Sequence, residues 1–587
     1  MKKSARYGLF FALLAVAVYL VGGYAKDRTN APLAASDTAN AEEPDIFREY
    51  RPQEAGVTEG RALLGIAISG GGSRAANFSA SVLSELDRLG ILENATVISS
   101  VSGGSLASSY FVTHQNDPQR KNGNLDAFWK VAEERLSQDF LSTWKWSVAG
   151  LARTMAPNVT RSALMADILD RAFLAGTSGG LETLQIDDAA KRSAPKGPSP
   201  GTFGSLPSNG PRLLINATAQ HDAPVKDVAT CINRGSNGQT LRFEGISFSE
   251  SLFRDCLLSD RSTYRIADAV MASAAFPGVF NSITLKSYAD AQTSHLHLID
   301  GGPSDNLGID AILHAASGRL SGVGSSVKRA CLIIVIDAFV RGDADDRYRS
   351  SDIRGVMGRA VDVNFLDAID AMLHRRRFDT LQRLGTAPGR LGDKKHQSLE
   401  FGLPSGAGRK TILMQPVRYR EDVALNEALG EHYEATSGAG AIEGLTCDFW
   451  HIGLDNIESL QLGQHWDGTS MVKIDSANAV TRQRWFEAPS VKNRIAVGEV
   501  TSRLKTNFQL EGPSSCTHSA LKDAVWEAGR LSVIEDYASR QKACAWLDRV
   551  GWGTSTCAKA PDDQHRRREL AIEYRALAPQ GHTVACR

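Results

Sequence analysis

The sequence predicts an α/β protein with a largely parallel central sheet that is covered by helices on both faces. Short apolar runs suited to buried parallel strands alternate with helix-like stretches, the clearest runs being 63–69, 96–99, 213–215, 331–336 and 411–414. The first two runs each lead into a glycine-containing turn and then a helix-like segment. Because the carboxyl ends of neighbouring parallel strands share one edge of a sheet, we expect these two turns to lie together.

The first turn, Gly70-Gly71-Gly72-Ser73-Arg74, has the composition of an anion-binding loop. Glycines permit a tight turn and leave N–H groups with no side chain over them. A helix that begins near Ser73 would add the positive end of its dipole. We therefore predict an oxyanion hole formed by all five residues. Arg74 is also a candidate partner for a phosphate group, since guanidinium suits phosphate, although it could equally be a solvated residue in the first helical turn.

Two nucleotide-binding motifs share features with this turn. Gly70, Gly72 and Ala75 satisfy G-x-G-x-x-A, but the dinucleotide fingerprint also needs an acidic residue after the next strand, where this chain has Ser99 and Ser100. A Walker phosphate loop is excluded, because no Gly-Lys-Ser/Thr follows the glycines. A nicotinamide-dependent oxidoreductase is therefore a distant third interpretation, after the two that are given below. A plain β-α turn without a ligand also remains a possible interpretation of these glycines.

The second turn places Ser102 where a strand-to-helix elbow would expose its hydroxyl. Crowding at such an elbow requires small neighbours, which Ser100, Gly103 and Gly104 supply. The usual pattern is G-x-S-x-G, and Ser100 takes the place of its first glycine. Ser102 is thus a candidate nucleophile, while a structural turn rich in Ser and Gly is the alternative.

A serine nucleophile needs a base, and Asp300 is the candidate. It ends the apolar run 296–299 and precedes Gly301-Gly302-Pro303, which predicts a position at the end of a strand. The 13 histidines include none in an obvious downstream motif. Aspartate at such a junction is also a common turn former, so this assignment depends on the two turns described above.

Taken together, these motifs resemble the patatin-like phospholipase family. The resemblance covers 63–340 and consists of four elements in the family's order: the loop 70–74, the elbow around Ser102, the segment 267–278, and Asp300-Gly301-Gly302 with Asp305-Asn306-Leu307-Gly308. It implies a patatin-like three-layer sandwich with helical insertions. It also implies hydrolysis of lipid acyl esters by a Ser-Asp dyad without a metal or other cofactor.

Carried onto this chain, the resemblance gives Ser102 the role of nucleophile and Asp300 that of base. The backbone amides near Gly71 and Gly72 then form the oxyanion hole. We expect a serine acyl hydrolase that cleaves phospholipids or lysophospholipids through an acyl-serine intermediate. The alternative is a catalytically weak lipid-binding or scaffolding protein with the same fold, for which Ser100 is the sequence hint.

The N-terminus predicts export. Lys2, Lys3 and Arg6 precede an uncharged run, 7–25, that has the features of a signal peptide or of an N-terminal membrane anchor. We therefore expect an extracytoplasmic protein, either anchored or released after cleavage. The predicted organisation is a signal or anchor (1–25), a polar linker (26–60), a catalytic domain (61–390) with a flexible insertion near 194–211, and a C-terminal extension (391–587) that partly completes the catalytic domain.

The eight cysteines agree with an oxidising compartment. Cys231 and Cys256 are a plausible pair, and four more cysteines gather in the last 72 residues: Cys516, Cys544, Cys557 and Cys586. Cys331 begins an apolar run, which favours a buried thiol. The chain has no C-x-x-C motif and its histidines are scattered, so no metal site is predicted.

Charge does not indicate a nucleic-acid partner. The 66 basic and 66 acidic residues cancel, which leaves no overall electrostatic attraction for nucleic acid or an anionic surface. The basic cluster Arg375-Arg376-Arg377 lies in a predicted helix and is interpreted as a solvated face. The resemblance to patatin-like phospholipases implies a lipid ester substrate, presented at a membrane surface, as the partner.

Overall fold

The structure is a computed structural model of the 587-residue chain. It describes the following residues: 29–34, 45–51, 60–138, 160–174, 201–220, 243–288, 294–319, 328–340, 372–373, 375–377, 380–381, 398–401, 410–416, 445–454, 464–466, 471–473, 497, 501, 515–534, 536–553 and 557.

An 11-stranded sheet organises the described part of the chain. The strands of the structure are β1 (Ala31–Pro32), β2 (Arg48–Tyr50), β3 (Gly60–Ile68), β4 (Val97–Val101), β5 (Arg212–Gln220), β6 (Phe243–Ser247), β7 (Ser259–Asp260), β8 (Ile283–Ser287), β9 (Ser294–Ile299), β10 (Lys328–Asp337), β11 (Ser398–Phe401), β12 (Lys410–Pro416), β13 (Leu445–Gly453), β14 (Gln464–Trp466) and β15 (Met471–Lys473). Two small antiparallel pairs, β1 with β7 and β14 with β15, stand apart from the main sheet.

The strand order of the main sheet is β11-β12-β13-β10-β3-β4-β5-β9-β8, with β2 also pairing β3 and β6 also pairing β5. The run from β12 to β5 is parallel, whereas β11, β9, β8, β6 and β2 pair antiparallel to their neighbours. In register, Ile68 of β3 lies between Ile336 of β10 and Ser100 of β4. The carboxyl ends of three central strands therefore share one edge, as the sequence predicts.

Helices cover both faces of this sheet. The α-helices are α1 (Gly72–Arg88), α2 (Gly103–His114), α3 (Pro118–Lys121), α4 (Leu125–Leu136), α5 (Arg161–Leu169), α6 (Ile266–Ser273), α7 (Gly302–Asp305), α8 (Ile309–Arg319), α9 (Ser515–Ile534) and α10 (Tyr537–Arg549). Short 3₁₀ turns span Leu92–Asn94 and Phe203–Ser205, and π-helical turns span Asp170–Leu174 and Leu252–Cys256.

Side-chain alternation along β3 explains the layering. Leu64 and Ile66 point into the core that contains α1, α2, α4 and α9, whereas Leu63 and Ala67 point into the core that contains α8. All four side chains are fully buried. A strand that is apolar on both faces requires a helical layer on each side, which is the reason for the near-continuous apolar run in the sequence.

The C-terminal region contributes to the sheet and to one helical layer. Strand β13 pairs in parallel with β10. Helix α9 packs on α1, where the Trp526 indole N–H donates to Asn77 Oδ1 (3.0 Å) and the Ser81 hydroxyl donates to the Trp526 carbonyl. Residues beyond 440 thus support the helix that follows the 70–74 loop.

A buried ion cluster lies at the carboxyl end of β10. Arg377 Nε donates to Asp337 Oδ2 (2.7 Å), and His451 Nε2 lies 2.9 Å from the same oxygen. Burial alone would raise the pKa of Asp337, but the Arg377 guanidinium and the His451 hydrogen bond hold that pKa well below its usual range. The solvated face predicted for 375–377 is therefore wrong at Arg377, because β10 and β13 bring it two polar partners; Arg375 and Arg376 are exposed.

Cys331 is not a buried thiol as expected. It forms a disulfide with Cys447, 116 positions away, because the pairing of β10 with β13 places the two residues in register with their Cα atoms 4.3 Å apart. A second disulfide joins Cys544 and Cys557 in the C-terminal region, and Cys256 is also disulfide-bonded. The partner of Cys331 is set by strand register, which the local sequence does not specify.

Other predictions concern the ends and the insertion. Residues 1–25 lie outside the described residues, and among the helices that are described none is long and apolar enough to cross a membrane. The described part of the predicted insertion, 201–211, contacts the fold: Phe203 is buried and its amide donates to the Tyr264 carbonyl (3.0 Å).

We expect Asp337→Asn to destabilise the protein by about 3 to 5 kcal/mol, because it leaves the buried Arg377 charge without its counter-ion. Since folding lowers the pKa of Asp337, its contribution is complete above the unfolded carboxyl pKa of about 3.9 and is lost as pH falls below it. Urea unfolding of the full chain near neutral pH measures the cost. Asp255→Asn, which breaks an exposed pair with Arg254, is the matched control and should cost less than about 1 kcal/mol. Equal effects of the two substitutions would contradict the assignment.

Candidate active site

Ser102 occupies a strained elbow between β4 and α2. Its backbone has φ 49° and ψ −124°, a conformation that costs a residue with a side chain on the order of 1 to 3 kcal/mol. The side chain is held at the carboxyl edge of the sheet with 9% of its surface exposed. The predicted position of the nucleophile, projecting from a sharp turn at the end of a strand, is the one that the structure has.

The small residues around Ser102 are required by backbone contacts. An ideal Cβ at Gly103 would lie 1.9 Å from the Gly72 carbonyl oxygen, and one at Gly104 would lie 2.5 Å from that of Ser69. Ser100 is accommodated where the usual pattern has glycine, since it is fully buried and its hydroxyl accepts a hydrogen bond from Ser108 (2.8 Å). The elbow therefore tolerates this departure without distortion of the nucleophile.

Asp300 lies within hydrogen-bonding distance of Ser102. The Ser102 hydroxyl donates to Asp300 Oδ2 (2.7 Å), and the Gly302 amide donates to Asp300 Oδ1 (2.8 Å). Strand β9 runs antiparallel to β5, so its end meets the carboxyl end of β4 from the opposite direction. Position 301 requires glycine, because a Cβ there would lie 2.4 Å from the Asn216 carbonyl oxygen.

The buried environment of Asp300 raises the pKa of its carboxyl group, as a general base would require. Its side chain is 4% exposed, and this burial raises the pKa of Asp300 to about 6, against the opposing hydrogen bonds from Gly302 and Ser102. A carboxylate with a pKa near working pH is a stronger proton acceptor than an ordinary aspartate and remains largely ionised at pH 7. The tuning that a serine-aspartate pair requires is thus supplied by burial.

The glycine loop reaches the nucleophile directly. An ideal Cβ at Gly70 would lie 3.4 Å from Ser102 Cβ, and Gly71 and Gly72 have φ of 137° and 57°, which favour glycine. Helix α1 begins at Gly72, so its first turn presents amides that have no acceptor within the helix. Of the five predicted donors, the Gly70 amide is already used, because it donates to the Asn306 carbonyl (3.0 Å). Gly71 and Gly72 remain candidate oxyanion donors, since both have positive φ and Gly72 lies against Gly103 of the elbow.

Arg74 lies in the same first turn and is half-buried. Its Nη2 atom would be 3.7 Å from a Cβ at Gly71, so its guanidinium lies beside the glycine loop. The structure thus brings together Ser102, Asp300, the glycines and Arg74, which the sequence analysis selected from segments up to 230 positions apart.

The Asp305-Asn306-Leu307-Gly308 segment has a positioning role that its sequence does not disclose. Asp305 accepts backbone hydrogen bonds from Leu307 (3.2 Å), Gly308 (3.1 Å) and Asp310 (2.8 Å), which fixes the turn. Burial and the nearby Asp310 carboxylate raise the pKa of Asp305 to about 7. The turn presents the Asn306 carbonyl to the Gly70 amide, so the stretch 300–308 both contains Asp300 and supports the glycine loop.

Comparison with known proteins agrees with this geometry. A family model described as patatin-like phospholipase matches residues 66–313, a range that includes the glycine loop, Ser102 and Asp300. The chain contains a patatin-like phospholipase domain. The predicted family and α/β fold class are therefore confirmed, and this domain is of the lipid acyl hydrolase class. No curated protein matches the sequence.

Several solved structures match the chain at low sequence identity and low TM-score. Human GIVD cytosolic phospholipase A2 has 12% identity and a TM-score of 0.37, and the match covers 85% of this chain and 60% of that chain. VipD from Legionella pneumophila has 12% identity and a TM-score of 0.21, covering 87% and 84% of the two chains. The ExoU–SpcU complex of the Pseudomonas aeruginosa type III secretion system has 15% identity and a TM-score of 0.18, covering 59% and 60%.

We expect reactivity of Ser102 in the patatin-like domain to fall as pH drops through about 6, because Asp300 accepts a proton only when it is ionised. The measurement is the second-order rate of labelling by a fluorophosphonate across the pH range on either side of 6. An acid limb at about 3.9, the value of an unperturbed aspartate, would contradict the role of burial.

Proposed function

We propose that this protein is an exported serine acyl hydrolase that cleaves fatty-acyl esters of phospholipids or lysophospholipids. The observation that carries the proposal is the 2.7 Å hydrogen bond from the strained Ser102 to the buried Asp300, beside the Gly71 and Gly72 backbone. A nucleophile that is hydrogen-bonded to a base and adjacent to free amide donors is the arrangement that acyl transfer requires.

Acylation begins when Ser102 Oγ attacks the ester carbonyl carbon and its proton passes to Asp300 Oδ2. The carbonyl electrons move to oxygen, and the resulting oxyanion is held by the amides at Gly71 and Gly72. Collapse of the tetrahedral intermediate breaks the bond to the alcohol oxygen, which takes the proton from Asp300 and leaves. The products of this half-reaction are acyl-Ser102 and the free alcohol or lysophospholipid.

Deacylation repeats the same steps with water. Asp300 takes a proton from the water as its oxygen attacks the acyl carbon, and the second oxyanion is held by the same amides. Ser102 then leaves with the proton from Asp300, and the fatty acid is released. Each donor aimed at the oxyanion is worth about 3 to 4 kcal/mol of barrier reduction, so the glycine loop accounts for a large part of the rate.

A phosphate-bearing ester is the substrate class favoured by Arg74. Its guanidinium is half-buried beside Gly71, close to where the reacting ester would lie. Guanidinium pairs with phosphate in a bidentate fashion and stays charged at all relevant pH values. This supports a phospholipid or lysophospholipid over a neutral acylglycerol.

Ser100, which suggested a catalytically weak lipid-binding protein, gives that alternative little support. Ser100 fits its buried position through the hydrogen bond from Ser108, and Ser102 and Asp300 remain in contact.

Export and contact with a membrane surface belong to the same proposal. The basic residues before the uncharged run 7–25 are typical of a signal or an anchor. The Cys331–Cys447 and Cys544–Cys557 disulfides suit an oxidising compartment outside the cytoplasm.

We expect the native protein to release fatty acid from mixed phospholipid vesicles, and Ser102→Ala and Asp300→Asn to abolish release. We expect neither loss to come from unfolding, because Ser102→Ala removes only a hydroxyl and burial already disfavours the Asp300 carboxylate. Ser109→Ala is the matched control: that buried hydroxyl on the same helix makes no hydrogen bond within the described part of the chain, so activity should be unchanged. A folded native protein that releases no fatty acid would contradict the proposal.

For export, we expect the mature protein to be found outside the cytoplasm. Comparison of its mass with that of the full chain separates two routes: loss of residues 1–25 indicates release, and their retention indicates an anchor. Recovery of the active protein from the cytoplasm, with full-length mass, would contradict export.

A further inference from the structure

We propose that Ser273 is a positioning residue that sets the geometry of the Ser102–Asp300 pair, an inference that rests on the proposed hydrolase function. Ser273 is the last residue of α6 and is fully buried. It lies 171 positions from Ser102, yet its hydroxyl oxygen accepts the Ser102 backbone N–H at 2.7 Å.

The Ser273 hydroxyl donates one hydrogen bond and accepts two, so its hydrogen-bonding capacity is fully used. The hydroxyl donates its single proton to the Asn216 carbonyl (2.5 Å), and it therefore acts as an acceptor toward both Ser102 N–H and the Ser105 hydroxyl, 3.2 Å away. Asn216 is itself held in place, because its side-chain amide nitrogen Nδ2 donates to Ser99 Oγ (2.7 Å) and to the Ser100 carbonyl (3.1 Å). This network connects β5 to the elbow.

The Ser102 amide needs such an acceptor because of the elbow conformation. Ser102 follows the last residue of β4 and is the N-cap of α2, so its amide has no partner within either element, and a buried N–H without a partner is unfavourable. Ser273 supplies the partner and fixes the plane of the peptide that precedes the nucleophile. The direction of the Ser102 side chain follows from the orientation of that peptide.

The backbone around Ser273 also holds the base. The Gly301 amide donates to the Ser273 carbonyl (3.1 Å), and the Asp300 amide donates to the Ala275 carbonyl (3.1 Å). One short segment thus contacts Ser102 through a side chain and the backbone of Asp300 and Gly301 through two carbonyls. Ser273 itself contacts neither reacting oxygen, and it acts on the reaction through the relative placement of Ser102 and Asp300.

The test is Ser273→Ala, which removes the hydroxyl and leaves both carbonyl contacts in place. We expect kcat for fatty acid release from phospholipid vesicles to fall by about 10- to 100-fold with KM little changed, since small misplacements of reacting groups cost this much. The rate of fluorophosphonate labelling, expressed per folded molecule, should fall by the same factor. A merely structural loss would lower the folded fraction and leave these rates per folded molecule unaltered.

Two further variants complete the design. Ser109→Ala removes a buried hydroxyl from α2 that makes no hydrogen bond in the described part of the chain, and it should keep native rates. If Ser273→Ala does not fold, Ser273→Cys is used; its weaker acceptor should give an intermediate loss of kcat. Native rates per folded molecule in Ser273→Ala or, failing that, in Ser273→Cys would overturn the positioning role alone. Absence of labelling in the native protein would overturn the proposed hydrolase function, and this inference with it.

Discussion

The site depends on a contact between two backbones with no side chain between them. The glycine loop after β3 and the elbow after β4 approach so closely that a Cβ at Gly103 would lie 1.9 Å from the Gly72 carbonyl oxygen. Parallel pairing of β3 with β4 brings the two turns to the same edge, and glycine alone allows them to meet. The other features of the site hold Ser102, Asp300 and the backbone amides of the glycine loop around that contact.

Two unfavourable features are maintained by surrounding structure. Ser102 keeps a backbone conformation that few residues with side chains adopt, and Asp300 keeps a carboxylate in a position where burial disfavours its charge. Hydrogen bonds to the elbow amide and to the carboxylate offset part of each cost. In the proposed reaction, the same features supply a hydroxyl that is hydrogen-bonded to a carboxylate with a pKa of about 6.

Sequence patterns predicted the site residues that follow strand ends, but they could not predict contacts between residues that are far apart in the chain. Gly70 to Arg74, Ser102 and Asp300 were found because strand ends followed by glycines are visible in a few consecutive residues. The roles of Ser273 and Asn306, the Cys331–Cys447 disulfide and the burial of Arg377 depend on strand register and on contacts across a hundred or more positions in most cases. A serine at the end of an apolar helix carries no local mark of its function.

The central claim is that Ser102 and the amides of the glycine loop act on the same carbonyl group. A crystal structure of the protein after reaction with a fluorophosphonate tests it directly. The account predicts phosphorus bonded to Ser102 Oγ, with a phosphonyl oxygen about 2.7 to 3.1 Å from the amide nitrogens of Gly71 and Gly72. An adduct on another residue, or a phosphonyl oxygen directed away from the glycine loop, would contradict it.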